Sequence, residues 1–421
     1  MTSTAPTSTM APIPDPAQAQ PRILRVLVAS QILSGAGLAA GVTVGALLAQ
    51  DMLGSTSLAG LPSALFTAGS ALAAVAVGRM SQARGRRPGL ATGYLAGAIG
   101  SAGVIIAAVL DNPVLLFIAL FVYGAGTATN LQARYAGADL AAPGHRARAV
   151  SAVLVATTLG GVAGPTLTAP LGNLAETLGM PNLAGPFILA GTAYALAALV
   201  LVLWLRPDPL LLARTLTEAK DTEADVAETT AEAAHTREGR GGVVLGALVT
   251  VLTQLVMVAI MTMTPVHMHD HGHSTTASGL VIAIHIGAMY LPSPLTGWLV
   301  DRYGPMKVAA ASGLTLLAAG ILAAAAPGDS VVLLALALAL LGLGWNFGLV
   351  SGTAIITDTV PLATRAKTQG LVDVSIAIAG ATGGMASGIM VAATSYPALA
   401  LTGGLLSLAL LPAVAATAYR R

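Results

Sequence analysis

The chain has 421 residues, 55% of them hydrophobic and only 9% charged, where a soluble domain carries roughly 25% charged residues. So little charge cannot solvate two or three soluble domains, and the net charge of +2 says less than the placement of the charges. With no cysteine, disulfides, thiolate metal sites and cysteine nucleophiles are excluded.

Residues 1–23 read as a disordered cytoplasmic tail: the first 21 are rich in Ser, Thr, Pro and Ala, carry Asp15 as their one charge, and lack the basic start and cleavage site of a signal peptide. Apolar stretches long enough to cross about 30 Å of hydrocarbon then recur. The expected spans are 24–49, 56–79, 89–110, 113–135, 148–172 and 183–205, and after a polar break 243–266, 276–299, 307–326, 330–354, 368–393 and 396–419. Gly and Ala crowd them, which suits close helix packing in lipid. The break at 206–242, with acids such as Glu218, Asp221, Glu223, Asp225, Glu228 and Glu232, is expected to be a cytoplasmic linker, partly helical. The expectation is an all-α membrane protein of twelve transmembrane helices in two six-helix bundles, 24–205 and 243–421.

The basic residues support this layout. All twenty Lys and Arg fall on one side of it, from Arg22 and Arg25 to Arg420 and Arg421, while the opposite loops hold only acids such as Asp51, Asp111, Glu176, Asp270 and Asp329. Such segregation is what the positive-inside rule predicts, with both termini in the cytoplasm of an inner-membrane, multi-pass protein.

The two bundles repeat. A shift of 219 positions lays Gly78 on Gly297, Gly85 on Gly304, Asp139 on Asp358, Arg146 on Arg365, Arg148 on Lys367, Gly161 on Gly380 and Gly164 on Gly383. Duplicated halves around a midplane site are a transporter architecture in which one half rocks against the other.

Between the second and third spans the chain reads Gly78-Arg-Met-Ser-Gln-Ala-Arg84-Gly85-Arg86-Arg87, and between the eighth and ninth Gly297-Trp-Leu-Val-Asp301-Arg302-Tyr-Gly304. Both resemble the signature loop of the major facilitator superfamily, G-x-x-x-D-R-x-G-R-R, whose charges clamp neighbouring helix ends when the cytoplasmic side closes. The first copy has Gln82 where the acid belongs and Ala83 where the base belongs, so the C-terminal copy is expected to carry more of the gating. Gly160-Gly-Val-Ala-Gly164-Pro165 is similar to the Gly-Pro motif of proton antiporters in that superfamily, without its later glycines, and such a step also serves packing and kinking.

Residues 257–289 hold five of the seven histidines and five of the thirteen methionines. Met257 and Met261 share one face of the seventh span, and His285 and Met289 one face of the eighth. Their first-half counterparts are Leu38, Val42, Phe66 and Ser70, so the duplicated scaffold does not require Met or His there. Thioether and imidazole together suit Cu(I) and would hold Mg or Ca poorly. His267, Met268, His269, His271 and His273 would sit at the mouth of the pathway, where they could concentrate a metal ion. The M-x-x-x-M and H-x-x-x-M pairs resemble the CcoA-like branch of the superfamily, which imports copper. That resemblance implies that Met257, Met261, His285 and Met289 bind copper and that uptake runs toward the cytoplasm.

Plainer readings stand beside this one. Methionines four apart often only pack, and a histidine-rich loop is often only solvated. Asp373 lies inside the eleventh span opposite Leu154 of the first half; it reads either as a proton-coupling carboxyl or as a gate contact to a base such as Arg302 or Lys367. Arg134 is expected at the inner surface, with Gln31, Asn130, Gln132 and Asn346 lining the cavity. The leading expectation is a copper importer, and the alternative is a proton-coupled exporter of a drug or metabolite using Asp373. Neither involves an enzyme or a cofactor, copper being the transported ion. The expected partners are the bilayer and a copper ion or small-molecule substrate, with no nucleic acid, for a monomeric chain.

Overall fold

The computed structural model of the protein describes residues 15–53, 61–224 and 232–418. Residues 1–14 of the expected tail, the linker residues Asp225 and Glu228, and the terminal Arg420 and Arg421 lie outside the described residues, as do the side chains of Pro165, Asp221, Glu223 and Glu232. The first half comprises α1 (Pro16–Leu53), α2 (Leu61–Arg84), α3 (Arg86–Val109), α4 (Pro113–Ala138), α5 (Arg146–Thr177) and α6 (Gly185–Trp204). The connection contributes α7 (Pro209–Ala224). The second half comprises α8 (Glu232–Asp270), α9 (Thr275–Tyr290), α10 (Ser293–Tyr303), α11 (Pro305–Ala325), α12 (Val331–Thr359), α13 (Arg365–Ala393), α14 (Tyr396–Ser407) and α15 (Leu410–Ala418).

Among the described residues, ten helical segments are long and apolar enough to cross a bilayer. The long helices α1 and α5 stand where the other two spans are expected. The eighth span is interrupted. Pro292 and Pro294 cannot donate to the helical ladder, and α9 gives way to α10 there. One departure from the sequence expectation stands out: α1 starts at Pro16, inside the expected tail; the described linker, expected to be partly helical, is α7 and the early start of α8 over most of its length.

Each half has its own apolar core. One runs from Ala19 to Leu212. The other gathers α8 to α12, α14 and α15 and takes in Val150 and Leu154 from α5, while α13 packs on α12 through Val372 and Ile376 against Ile356 and Val360. The halves meet where α2 lies along α13 and α5 along α10. Inside each half, glycines let backbones approach until no methyl group fits. A Cβ on Gly100 of α3 would lie 2.6 Å from Cα of Tyr123 on α4, whereas one on Gly161 would meet nothing within 4 Å.

Several helix starts differ in where their caps come from. At the acidic end, Asn112 accepts from Leu115 N at 3.0 Å, Ser274 from Ala277 N at 3.2 Å, Ser330 from Leu333 N at 3.3 Å and Ser395 from Ala398 N at 3.3 Å. These are ordinary N-caps, each satisfying an orphan backbone donor. At the basic end, α5 and α13 begin with no cap from their own N-cap residues, His145 and Thr364.

The contrast between the two glycines is testable by thermal unfolding in detergent. Gly100→Ala is expected to cost on the order of 1–3 kcal/mol through overpacking, and Gly161→Ala to leave the midpoint unchanged or slightly raised through helix propensity.

Candidate functional site

The caps missing from α5 and α13 come from the opposite half. Asp301, at the end of α10, accepts from Ala147 N and Arg148 N of α5, both at 3.1 Å. Gln82, at the end of α2, accepts through Oε1 from Ala366 N at 2.7 Å and Lys367 N at 3.3 Å on α13. Under the 219-residue shift Gln82 maps to Asp301, Ala147 to Ala366 and Arg148 to Lys367, so the two caps are copies of one interaction. The glycines of the motif make the approach possible. A Cβ on Gly78 would lie 2.9 Å from the Ala366 carbonyl oxygen, and one on Gly297 would lie 2.8 Å from that of Ala147.

The expectation that Gln82 weakens the first copy is corrected by this geometry. A carboxylate only accepts, but an amide also donates. Gln82 Nε2 donates to the carbonyls of Ala363 at 2.6 Å and Leu362 at 3.1 Å, so one side chain ties the loop before α13 as well as its first turn. Of the other motif residues, Gly85 and Gly304 take φ of 97° and 89°, the left-handed region glycine tolerates. Arg86 is buried, Arg84 and Arg302 are exposed, and Arg87 is half-buried.

Ion pairs surround the caps in the same reciprocal way. Arg146 pairs with Asp358 at 2.5 Å, and its repeat copy Arg365 lies 4.0 Å from Asp139, the copy of Asp358. Arg148, itself partly exposed, lies 3.6 Å from the buried carboxylate of Asp301. Two further groups have no repeat copy, and both are buried. Arg86 donates to Asp139 at 2.7 Å and to Gln369 Oε1 at 2.5 Å. Arg134 donates to Asp373 at 2.8 Å, to Tyr135 at 2.8 Å and to Thr353 at 3.0 Å, and also to the Leu131 carbonyl. The Tyr135 hydroxyl lies 3.2 Å from the same Asp373 oxygen, and the second oxygen, Oδ2, is buried without a partner.

Two expectations therefore change. Arg134 is not at the inner surface but is fully buried against the other half. Asp373 pairs with Arg134 rather than with Arg302 or Lys367. The polar residues expected to line a cavity are instead buried in bonds within their own halves. Gln31 donates to the Asn130 carbonyl and to Thr157, Asn130 donates to Ser34, and Gln132 donates to the Ala74 carbonyl. Asn346 donates to the Met289 carbonyl at 2.7 Å, satisfying an acceptor freed where α9 ends.

Met257 and Met289 are buried in the second core, and Met261 packs against it. His285, one turn before Met289, is fully buried. Its Nδ1 lies 2.8 Å from the Leu338 carbonyl, and its Nε2 is buried with no partner. A carbonyl can only accept, so Nδ1 carries the proton and Nε2 presents a bare lone pair. Among the described residues no group of three or more His, Cys, Asp or Glu is placed to hold a metal ion. A cation here would therefore rest on one imidazole and the thioethers.

The outer histidines are engaged locally. His267 stacks on Tyr396 with ring centroids 4.3 Å apart, His271 Nδ1 lies 2.8 Å from the His267 carbonyl, and His273 Nε2 lies 2.8 Å from the Gly328 carbonyl. His269 is exposed. Met268, expected beside them at the mouth, is instead fully buried in the core.

The repeat supplies its own test of the buried pair. Arg134→Ala alone leaves Asp373 uncompensated and is expected to destabilise the protein by about 3–5 kcal/mol. Arg134→Thr combined with Asp373→Leu, which installs the residues of the repeat copies Thr353 and Leu154, is expected to recover most of that loss. Unfolding midpoints of both single variants and the double variant would report the coupling.

Comparison with known proteins gives this geometry a family. The sequence profile of the Major Facilitator Superfamily matches residues 27–289 and 246–421. The uncharacterized MFS-type transporter YdeG of Bacillus subtilis (strain 168) is 61% identical over 93% of this chain and 91% of its own length. YddS of the same organism, also an uncharacterized MFS-type transporter, is 54% identical over 93% and 90%. The riboflavin transporter RfnT of Brucella anthropi is 31% identical over 85% and 86%. The fold is shared with the proton:xylose symporter XylE (TM-score 0.75, 16% identity, covering 94% of this chain and 95% of that one). It is shared as well with the human organic anion transporter MFSD10 (TM-score 0.74, 16% identity, 94% and 99%). The chain belongs to the major facilitator superfamily and is a multi-pass membrane transporter, not an enzyme.

Proposed function

We propose that this secondary transporter imports copper by alternating access, holding the ion between α8 and α9 with Met257, Met261, His285 and Met289. The observation that carries the reading is the buried, unpartnered Nε2 of His285. Metal-bound histidines usually donate their other ring nitrogen to a carbonyl or carboxylate, which fixes the ring and aims the free lone pair. The Leu338 carbonyl does this for His285. An imidazole with thioethers and no thiolate or nearby carboxylate favours Cu(I) over harder cations.

Uptake toward the cytoplasm is part of this reading, as the resemblance to the copper-importing branch implies. With the basic end in the cytoplasm, as the positive-inside rule implies, the caps and ion pairs close the cytoplasmic side, and the solute enters from the end that carries His269. Release requires the caps at Gln82 and Asp301 to part as the halves rock. In this reading the protein lies in the inner membrane with both termini cytoplasmic, and acts as a monomer.

A second reading has its own support. The Brucella relative is named a riboflavin transporter, and α8, α9 and α12 present an aromatic and amide group: Tyr290 meets Trp345 edge-on at 5.6 Å, and Trp345 Nε1 donates to Gln254 at 2.7 Å. An organic solute would bind there, the methionines would be adaptable apolar lining, and Asp373 would carry the coupled proton.

Copper accumulation and riboflavin uptake, measured in the same cells, separate the two readings. Copper import predicts that Met257→Leu with His285→Leu lowers copper accumulation tenfold or more, as loss of half of the ligands would, at unchanged protein level. Copper accumulation indifferent to that pair, with riboflavin uptake abolished by Asp373→Asn, assigns the organic-solute reading instead.

A further inference from the structure

Among the described residues, the first part of the linker is the one structured element at the basic end with no copy in the other half. Asp208 stands just before α7 and caps it, accepting through Oδ1 from Leu210 N at 3.1 Å and Leu211 N at 3.2 Å. Its other oxygen accepts from Arg87 N at 2.7 Å, in the first turn of α3. One carboxylate thus serves two helix N-termini, where the backbone donors and the helix dipole both favour negative charge. Gly85 makes room for it, since a Cβ there would lie 2.6 Å from Asp208 Cγ. Gly304, the copy of Gly85, has nothing within 4 Å of the same position. Leu212 buries in the first-half core and Leu216 packs against it, so α7 is fastened by packing as well.

From that fixed position Arg214 reaches across the junction. Its Nη2 donates to the Gln82 carbonyl at 2.9 Å, at the end of α2, and lies 3.5 Å from the Leu362 carbonyl, in the loop leading to α13. Those two residues already form the Gln82 clamp, because Gln82 Nε2 donates to the same Leu362 carbonyl. We propose that α7 is a latch on the clamp: Arg214, positioned by Asp208, ties the end of α2 to the α12–α13 loop and holds the basic end shut on the α2–α13 side alone. Arg214 is a positioning residue, acting through Gln82 and Leu362 rather than on the solute, so the inference does not depend on which solute is carried.

The chain has no cysteine, so a single introduced thiol reports opening without background. Ser151 is fully buried in α5, and a Cβ on Gly297 of α10 would meet its hydroxyl at 2.6 Å, so parting of the halves exposes it. The reaction of Ser151→Cys with N-ethylmaleimide is measured in detergent-solubilised full-length protein. Arg214→Ala is expected to speed labelling about 5- to 30-fold, the population shift that loss of a charge-assisted hydrogen bond brings. Arg214→Lys, which keeps a cationic donor, is expected to fall between it and the parent. Asp301→Ala, which removes the other cap, serves as the positive control, and Ser101→Cys, buried between α3 and α6 within one half, as the control for general loosening. A labelling rate that Arg214→Ala leaves unmoved while Asp301→Ala accelerates it would make α7 a passive tether and overturn the proposal. Equal acceleration at Ser101→Cys would overturn it too. Should Arg214→Ala fail to accumulate, Arg214→Gln provides the same test.

Discussion

The structure depends on two helix N-termini that do not cap themselves. The first-turn backbone donors of α5 and α13 need acceptors, and each finds them on a side chain of the opposite half, Asp301 or Gln82. Separated halves would leave both sets of donors without these partners unless water entered. Closure at the basic end is therefore a condition under which backbone hydrogen bonding is complete. An N-cap contributes roughly 0.5–2 kcal/mol, so two of them make a catch firm enough to hold one conformation and weak enough to release it when a solute binds the other state better.

The duplication builds this catch twice, and the two copies have diverged. The Asp301 copy is a carboxylate with Arg148 beside it, partly open to solvent. The Gln82 copy is neutral, donates as well as accepts, and lies beside the buried groups around Arg86 and Arg134. Charge has thus been concentrated along α4 and α13 without a matching set along α5 and α12. A buried ion pair contributes little net stability but is costly to break on one side only, so this arrangement adds selectivity for a particular closed geometry more than it adds strength.

Much of this was legible in the sequence, for identifiable reasons. Hydropathy gives the spans because backbone in lipid must be helical, and the one-sided placement of Arg and Lys gives their register. The fixed offset gives the halves, and it also pairs Arg146 with Arg365 and Asp139 with Asp358 before any contact is known. What escaped notice shares a different cause. Gln82 looked like a lost acid because a motif records residue type and not the donors an amide adds. Arg134 looked like a surface residue because its partner lies 239 positions away. Gln31, Asn130 and Asn346 looked like pathway lining because polarity in a span does not reveal whether its partner is a solute or a neighbouring helix. The docking of the linker escaped, because Asp208 and Arg214 are anchored by backbone groups invisible to composition.

Arg134 and Thr353 stand 219 positions apart and bond to each other, which means that a residue here touches its own duplicate. Only a side chain on the axis relating the halves can do so. Away from that axis a duplicated arginine meets a duplicated aspartate, and both copies can be kept unchanged, as at Arg146 and Arg365. On the axis an inherited arginine would have faced another arginine in the dark between the halves, like pressed against like. The closed halves therefore hold one charge at this point, with Thr353 accepting from Arg134 where a second arginine would repel it. The difference between the two copies at that point, rather than their likeness elsewhere, is what lets the two halves share one centre.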